Sequence, residues 1–148
     1  GLVVAAFGVA GLLTGPRFGR LADRVGMRPF GVVVSLVFGA VVAATAYTPS
    51  VALLVVAVAA GGAASTAGRL TSTTLAVTST PGNRAGATSM TLAWQFLGSA
   101  LAPVSLLPLY HRSVGWGFAA TACGAVLAAA LLAGAPGLNR SLRRSAAR

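Results

Sequence analysis

Acidic side chains are almost missing from this 148-residue chain: Asp23 is the single carboxylate, set against 11 basic residues, all of them arginine. Paired carboxylates for general acid–base work are thereby excluded. One histidine and one cysteine complete a poor inventory for catalysis: no metal-ligand spacing, no glycine-rich phosphate loop, and serines with no base to activate them. Cys123 has no partner for an internal disulfide, and its place in an apolar run reads as a small buried residue. The expectation is a protein that is not an enzyme and uses no cofactor or metal.

Charge of either sign is scarce as well. Only 8% of residues are charged and 56% are hydrophobic, with mean hydropathy +0.85, whereas the charged fraction of soluble domains is normally about a quarter. Such a chain cannot cover a water-soluble globule and belongs in a lipid bilayer. The net charge of +10 does not indicate nucleic acid, because a nucleic-acid-binding domain gathers its basic residues on one folded face. Here the arginines punctuate the gaps between apolar runs. Nor do the runs alternate apolar with polar at period two, which excludes a membrane β-barrel.

What is present is length. A helix needs roughly 20 apolar residues to cross the hydrocarbon core, and five segments qualify or nearly so: about 1–15, 30–47, 51–77, 87–109 and 116–134. The fold class is therefore an all-α polytopic transmembrane bundle over residues 1–134, followed by a basic tail at 135–148. The first segment is short and opens on Gly1 rather than methionine, so it reads as a cut helix. It lacks the basic leader of a signal peptide.

Arginine placement orients the spans, since short cytoplasmic loops hold the excess of basic residues. Arg17, Arg20, Arg24, Arg28, Arg84, Arg140, Arg143, Arg144 and Arg148 fall on one side, leaving Arg112 beside His111 on the other. The first side is the expected cytoplasm, with the C-terminus inside.

Small and polar residues mark the helix faces. Gly11, Gly15 and Gly19 recur every four positions with Gly8 nearby, a stripe for close helix approach. Pro103 and Pro108 each remove a backbone donor from the fourth span, which should bend or loosen it. In the third span Gly62, Ser65, Thr66, Arg69, Ser72 and Thr73 follow helical spacing and share a side. A charge centred in a bilayer costs about 2.5–3.5 kcal/mol on insertion scales. Arg69 therefore faces a bundle interior or watery cavity, or snorkels outward. As a cavity residue it would bind an anionic group or pair with a carboxylate supplied by substrate, by further chain, or by Asp23 through close folding of its loop. In the fourth span Thr88, Thr91, Gln95 and Ser99 lie near one face beside Trp94, offering hydrogen bonds to a solute or to a neighbouring helix. The candidate cavity residues are thus Ser65, Thr66, Arg69, Ser72, Thr73, Thr91, Gln95 and Ser99. The last span, nearly all alanine, leucine and glycine behind an interfacial Trp116 and Phe118, reads as peripheral scaffold.

Between the first two spans the sequence runs G-R-L-A-D-R-V-G-M-R, Gly19 to Arg28. This stretch resembles the cytoplasmic signature loop of the major facilitator superfamily, G-x-L-a-D-r-x-G-r-R/K, found between the second and third helices and, less strictly, between the eighth and ninth. Gly19, Leu21, Ala22, Asp23, Arg24, Gly26 and Arg28 match, and Met27 departs where a basic residue is common. Gly61 and Gly62 in a long helix, then Pro81 to Gly86 opening the next, are similar to the tenth and eleventh helices and their joining loop.

The resemblance implies that Gly19, Asp23, Arg24, Gly26 and Arg28 form a conformational latch rather than a substrate site. Glycine permits tight turning, and a carboxylate can accept bonds from arginine or a helix N-terminus. It further implies an alternating-access secondary transporter in the plasma (inner) membrane, with substrate held between two six-helix halves. The expected activity is proton-coupled efflux of small amphipathic molecules. The expected partners are that small-molecule substrate, protons, the lipid bilayer and the missing N-terminal half of the same chain. Import or exchange of an anionic or sugar-like solute is the alternative activity. A non-transporting membrane subunit or truncated product is the alternative class. A basic tail, no arginine ahead of Gly61 and no clear G-x-x-x-G-P-x-x-G motif favour helices eight to twelve. Gly98 to Pro103, loosely similar to that motif, keeps helices two to six open.

Overall fold

The computed structural model describes residues 1–134; the basic tail expected at 135–148 lies outside the described residues. Five helices follow one another: α1 (Leu2–Val25), α2 (Met27–Thr45), α3 (Val51–Ser79), α4 (Arg84–Arg112) and α5 (Val114–Gly134). Of these, α2, α3, α4 and α5 are long and apolar enough to cross a membrane.

Helix ends follow local chemistry. Ser50 starts α3 by accepting a hydrogen bond from the Leu53 amide at 3.3 Å, and Asn83 starts α4 by accepting from Gly86 at 3.0 Å; each satisfies one orphan donor of a first turn. The junction of α1 and α2 is tighter than the sequence suggests. Rather than an open loop from Gly19 to Arg28, α1 stays helical through Val25 and α2 resumes at Met27. The reason is Gly26, whose φ of 96° and ψ of 140° reverse the helical backbone in one step. Gly26 is the one positive-φ residue among those described, in a conformation that a side chain makes costly.

The centre of the bundle is α3, which packs against α1, α2 and α4, while α5 packs against α2 and α4. Ala22, Phe30, Val34, Ala64 and Ala67 form the buried core, flanked by Phe18, Met27 and Phe38. The Phe18 and Phe30 rings meet at 6.0 Å. Small residues set the spacing. On α3, a Cβ at Gly62 would meet the backbone carbonyl of Phe7 on α1. On α1, a Cβ at Gly11 would lie 3.3 Å from the Gly62 carbonyl oxygen and would also meet Thr66 Oγ1. The glycine stripe of α1 is only half used, because Gly8 and Gly19 face open space.

On α2, a Cβ at Gly39 would sit 3.1 Å from the Ala125 side chain and 3.4 Å from the Ala122 carbonyl of α5. Gly31 similarly abuts Thr71 of α3 and Leu132 of α5. This close seating makes α5 a wall of the bundle, not the peripheral scaffold its composition suggests. Cys123 corrects a second expectation: it is exposed, since the faces of α5 that are buried carry Gly117, Ala125 and Ala129.

Candidate substrate cavity and α1–α2 junction

Four helices surround an open cavity of ≈ 630 Å³. From α3 it receives Ser65, Gly68, Arg69 and Ser72, and from α4 Gln95 and Gly98. Its other walls are Val34, Ser35 and Phe38 on α2, and Thr121, Gly124, Ala125 and Ala128 on α5. Arg69 is the charged member of this lining. The site therefore combines an apolar body with one cation and several hydroxyls, the composition of a small-molecule pocket.

The polar groups are organised around Arg69. Its Nε donates to Gln95 Oε1 across the α3–α4 gap at 3.1 Å. Gln95 Nε2 in turn lies 3.5 Å from Ser72 Oγ, and the Ser72 hydroxyl donates to the Arg69 carbonyl at 3.0 Å. The sequence left Arg69 in search of a carboxylate; its partner is this neutral amide. Asp23 is exposed at the far end of α1 and does not approach it. Arg69 and Gln95 also line a second space of ≈ 310 Å³ with Phe96 and Ser99.

Of the expected cavity residues, Ser65, Arg69, Ser72 and Gln95 come together, and Ser99 joins Arg69 and Gln95 at the smaller space. Thr66 does not: it is turned to α1, against Gly11, with its hydroxyl donating to the Gly62 carbonyl at 3.0 Å. Helical geometry explains the split. At about 100° per residue, Ser65, Arg69 and Ser72 span about 60° of the helix, while Gly62, Thr66 and Thr73 occupy the adjoining about 40°. Thr73 and Thr91 line neither space, and Thr91 is satisfied within its helix by the Ala87 carbonyl at 2.8 Å. Sequence reading missed Ser35 and Thr121. Each is a lone hydroxyl in an apolar span, with no second polar residue at helical spacing to single out its face.

The signature residues gather at the α1–α2 junction. Gly19 is half-buried, while Asp23 and Arg24 are exposed in the last turns of α1. There Arg24 complements the negative helix end, whereas Asp23 opposes it, so the one carboxylate of the chain is not placed to stabilise its own helix. Among the described residues Asp23 forms no ion pair with Arg24 or Arg28. Arg28 instead reaches across the bundle, its Nη2 donating to the Leu132 carbonyl near the end of α5 at 3.0 Å. A guanidinium on a last-turn carbonyl both satisfies an orphan acceptor and complements the helix dipole.

Four helices long and apolar enough to cross a membrane, around a largely apolar cavity with a few polar groups, fit a multi-pass membrane protein of the transporter class. The chain belongs to the Major Facilitator Superfamily, whose family model matches residues 1–146. No curated protein and no solved structure matches it.

Proposed function

We propose that this chain is part of an alternating-access transporter whose small-molecule substrate passes through the cavity between α2, α3, α4 and α5. The observation that carries the reading is the Arg69–Gln95 bridge, a polar cross-helix contact whose two residues line both spaces. A buried structural pair would be sealed by packing. This one joins Arg69 of α3 to Gln95 of α4 in the cavity lining, where a solute can compete for its bonds.

The end of α1, the start of α2 and the start of α4, which carry Arg17, Arg20, Arg24, Arg28 and Arg84, are the proposed cytoplasmic side of the plasma membrane. On that side Gly19, Asp23, Arg24, Gly26 and Arg28 act as the latch that the family resemblance implies. The fragment corresponds to the second six-helix half, and a preceding half supplies the opposing wall and the proton-carrying carboxylate, for which the spans described here have no candidate. Proton-coupled efflux is the activity that this arrangement serves.

Side-dependent cysteine labelling tests alternating access. In the full-length protein with Cys123 replaced by serine, single cysteines at Ser65 and Ser72 are treated with an impermeant thiol reagent from either membrane face. The expected result is labelling from both faces, with transported substrate shifting the balance from one to the other. Labelling from one face only, unmoved by any solute, would sink the proposal and favour a non-transporting membrane subunit.

A further inference from the structure

We infer that the cavity takes an amphipathic organic anion, with its carboxylate or sulfonate on Arg69 and its apolar body against α2 and α5. The inference names a substrate class for the proposed transport site and so rests on that site being the transport cavity.

Three observations carry it. First, the charge in the cavity lining is one-sided: Arg69 is cationic, and no carboxylate lines the cavity. The chain's sole acid, Asp23, lies in the last turns of α1, outside that lining. Within this chain the arginine has no acidic partner, and an anion that enters the cavity supplies its counter-charge.

Second, the guanidinium is held but not used up. Gln95 takes the Nε hydrogen, fixing the plane of the group, and among the described residues neither terminal nitrogen has a hydrogen-bond partner. Those terminal N–H groups are the ones that grip an oxyanion as a fork. An amide is a fitting anchor for that purpose, because it orients the guanidinium without neutralising it, as a carboxylate would. Nearby hydroxyls fall into two sets. Ser72 and Thr121 are committed to carbonyls of their own helices at 3.0 Å. Ser35 and Ser65 line the same cavity without an internal hydrogen bond among the described residues, and a hydroxyl without a partner can donate to an incoming oxygen.

Third, the remaining walls, Val34, Phe38, Ala64, Ala125 and Ala128, are apolar. A fully hydrated small ion such as phosphate would leave them facing water; a ligand with an apolar body covers them.

The test uses the full-length protein, purified in detergent, and three ligands with one ring system: 1-naphthalenesulfonate, 1-naphthalenesulfonamide and 1-naphthylmethylammonium. Equilibrium dialysis against each measures affinity. Saturable binding of the sulfonate is expected, at least about tenfold tighter than the neutral or cationic ligand, as suits a charge-assisted bond to a preformed guanidinium. Arg69→Gln should abolish that preference, and Arg69→Lys should restore part of it, since it keeps the charge but loses the fork. If Arg69→Gln does not fold, Arg69→Lys carries the test, and a preference left undiminished by it overturns the inference. No saturable sulfonate binding, no preference for it, or a preference that survives Arg69→Gln overturns the inference. Side-dependent labelling without anion preference would leave the transport reading standing and remove only the substrate class. Anion preference without side-dependent labelling would do the reverse.

Discussion

α3 makes two opposite kinds of contact on adjoining faces. Towards α1 it presents Gly62 and Thr66, and the backbones meet so closely that a Cβ at Gly62 would strike the Phe7 carbonyl. Towards α4 it presents Arg69 and Ser72, and the two helices are joined through side chains at 3.1 and 3.5 Å. The first seam is close and geometrically specific: little can shift without a collision, because packed backbone has no rotamer to change. The second depends on long side chains that swing and on hydrogen bonds that water or a solute can replace. A transporter needs both within one bundle, a fixed frame and a face that can yield. Here they are separated by a fraction of a helical turn.

The contrast can be broken most strongly at Gly62. Gly62→Val should destabilise the protein by about 3 kcal/mol or more, the upper end of overpacking costs, because the obstruction is backbone. A large fall in the thermal unfolding midpoint in detergent is the expected reading, and an unchanged midpoint would mean that the α1–α3 seam is looser than described. Next comes Gly26, where the chain turns from α1 into α2. Gly26→Ala should cost about 1–3 kcal/mol because its backbone conformation is rarely open to a side chain, while Gly82→Ala, in open space, should not.

The yielding seam should respond differently. Gln95→Leu removes the bridge, yet interhelical hydrogen bonds in membranes average only about 0.6 kcal/mol, so the unfolding midpoint should scarcely move. Binding of 1-naphthalenesulfonate should nonetheless weaken, because Arg69 loses its orientation; a midpoint drop like that of Gly62→Val would erase the distinction between the seams. The smallest effect belongs to Gly8→Ala. A Cβ there meets nothing within 4 Å, so stability should stay within about 0.5 kcal/mol, or rise through better helix propensity, despite Gly8 lying near the stripe that Gly11 shares.

Much of this was legible in the residues. Apolar run length against bilayer thickness is a strong constraint, and it located the helices to within a turn or so, except where α1 runs on to Val25. That extension escaped notice because Arg17, Arg20 and Arg24 read as a loop, although arginine is a good helix former and a helix may continue beyond the hydrocarbon. Arg69 and Gln95 were each visible as polar groups in apolar spans. That they bond to each other was not, since spacing along one helix says nothing about rotation relative to the next. Thr66 illustrates the same limit: it shares a broad side with Arg69, but two helices divide that side. Gly31 and Gly39, which seat α2 on its neighbours, fall with Ser35 at four-residue spacing, a small-residue stripe like that of α1 that the sequence reading passed over.

The single-residue joint at Gly26 has a mechanical corollary. Two rods coupled by one amino acid can swivel about the joint, but the Cα atoms at their ends, two residue steps apart, cannot part by more than about 7 Å. Any tilt of α1 must therefore tow the beginning of α2. Two positions beyond the joint lies Arg28, tied to the far end of α5 through Leu132. A rotation starting in the first helix is thereby geared to the last one, without either touching the other directly.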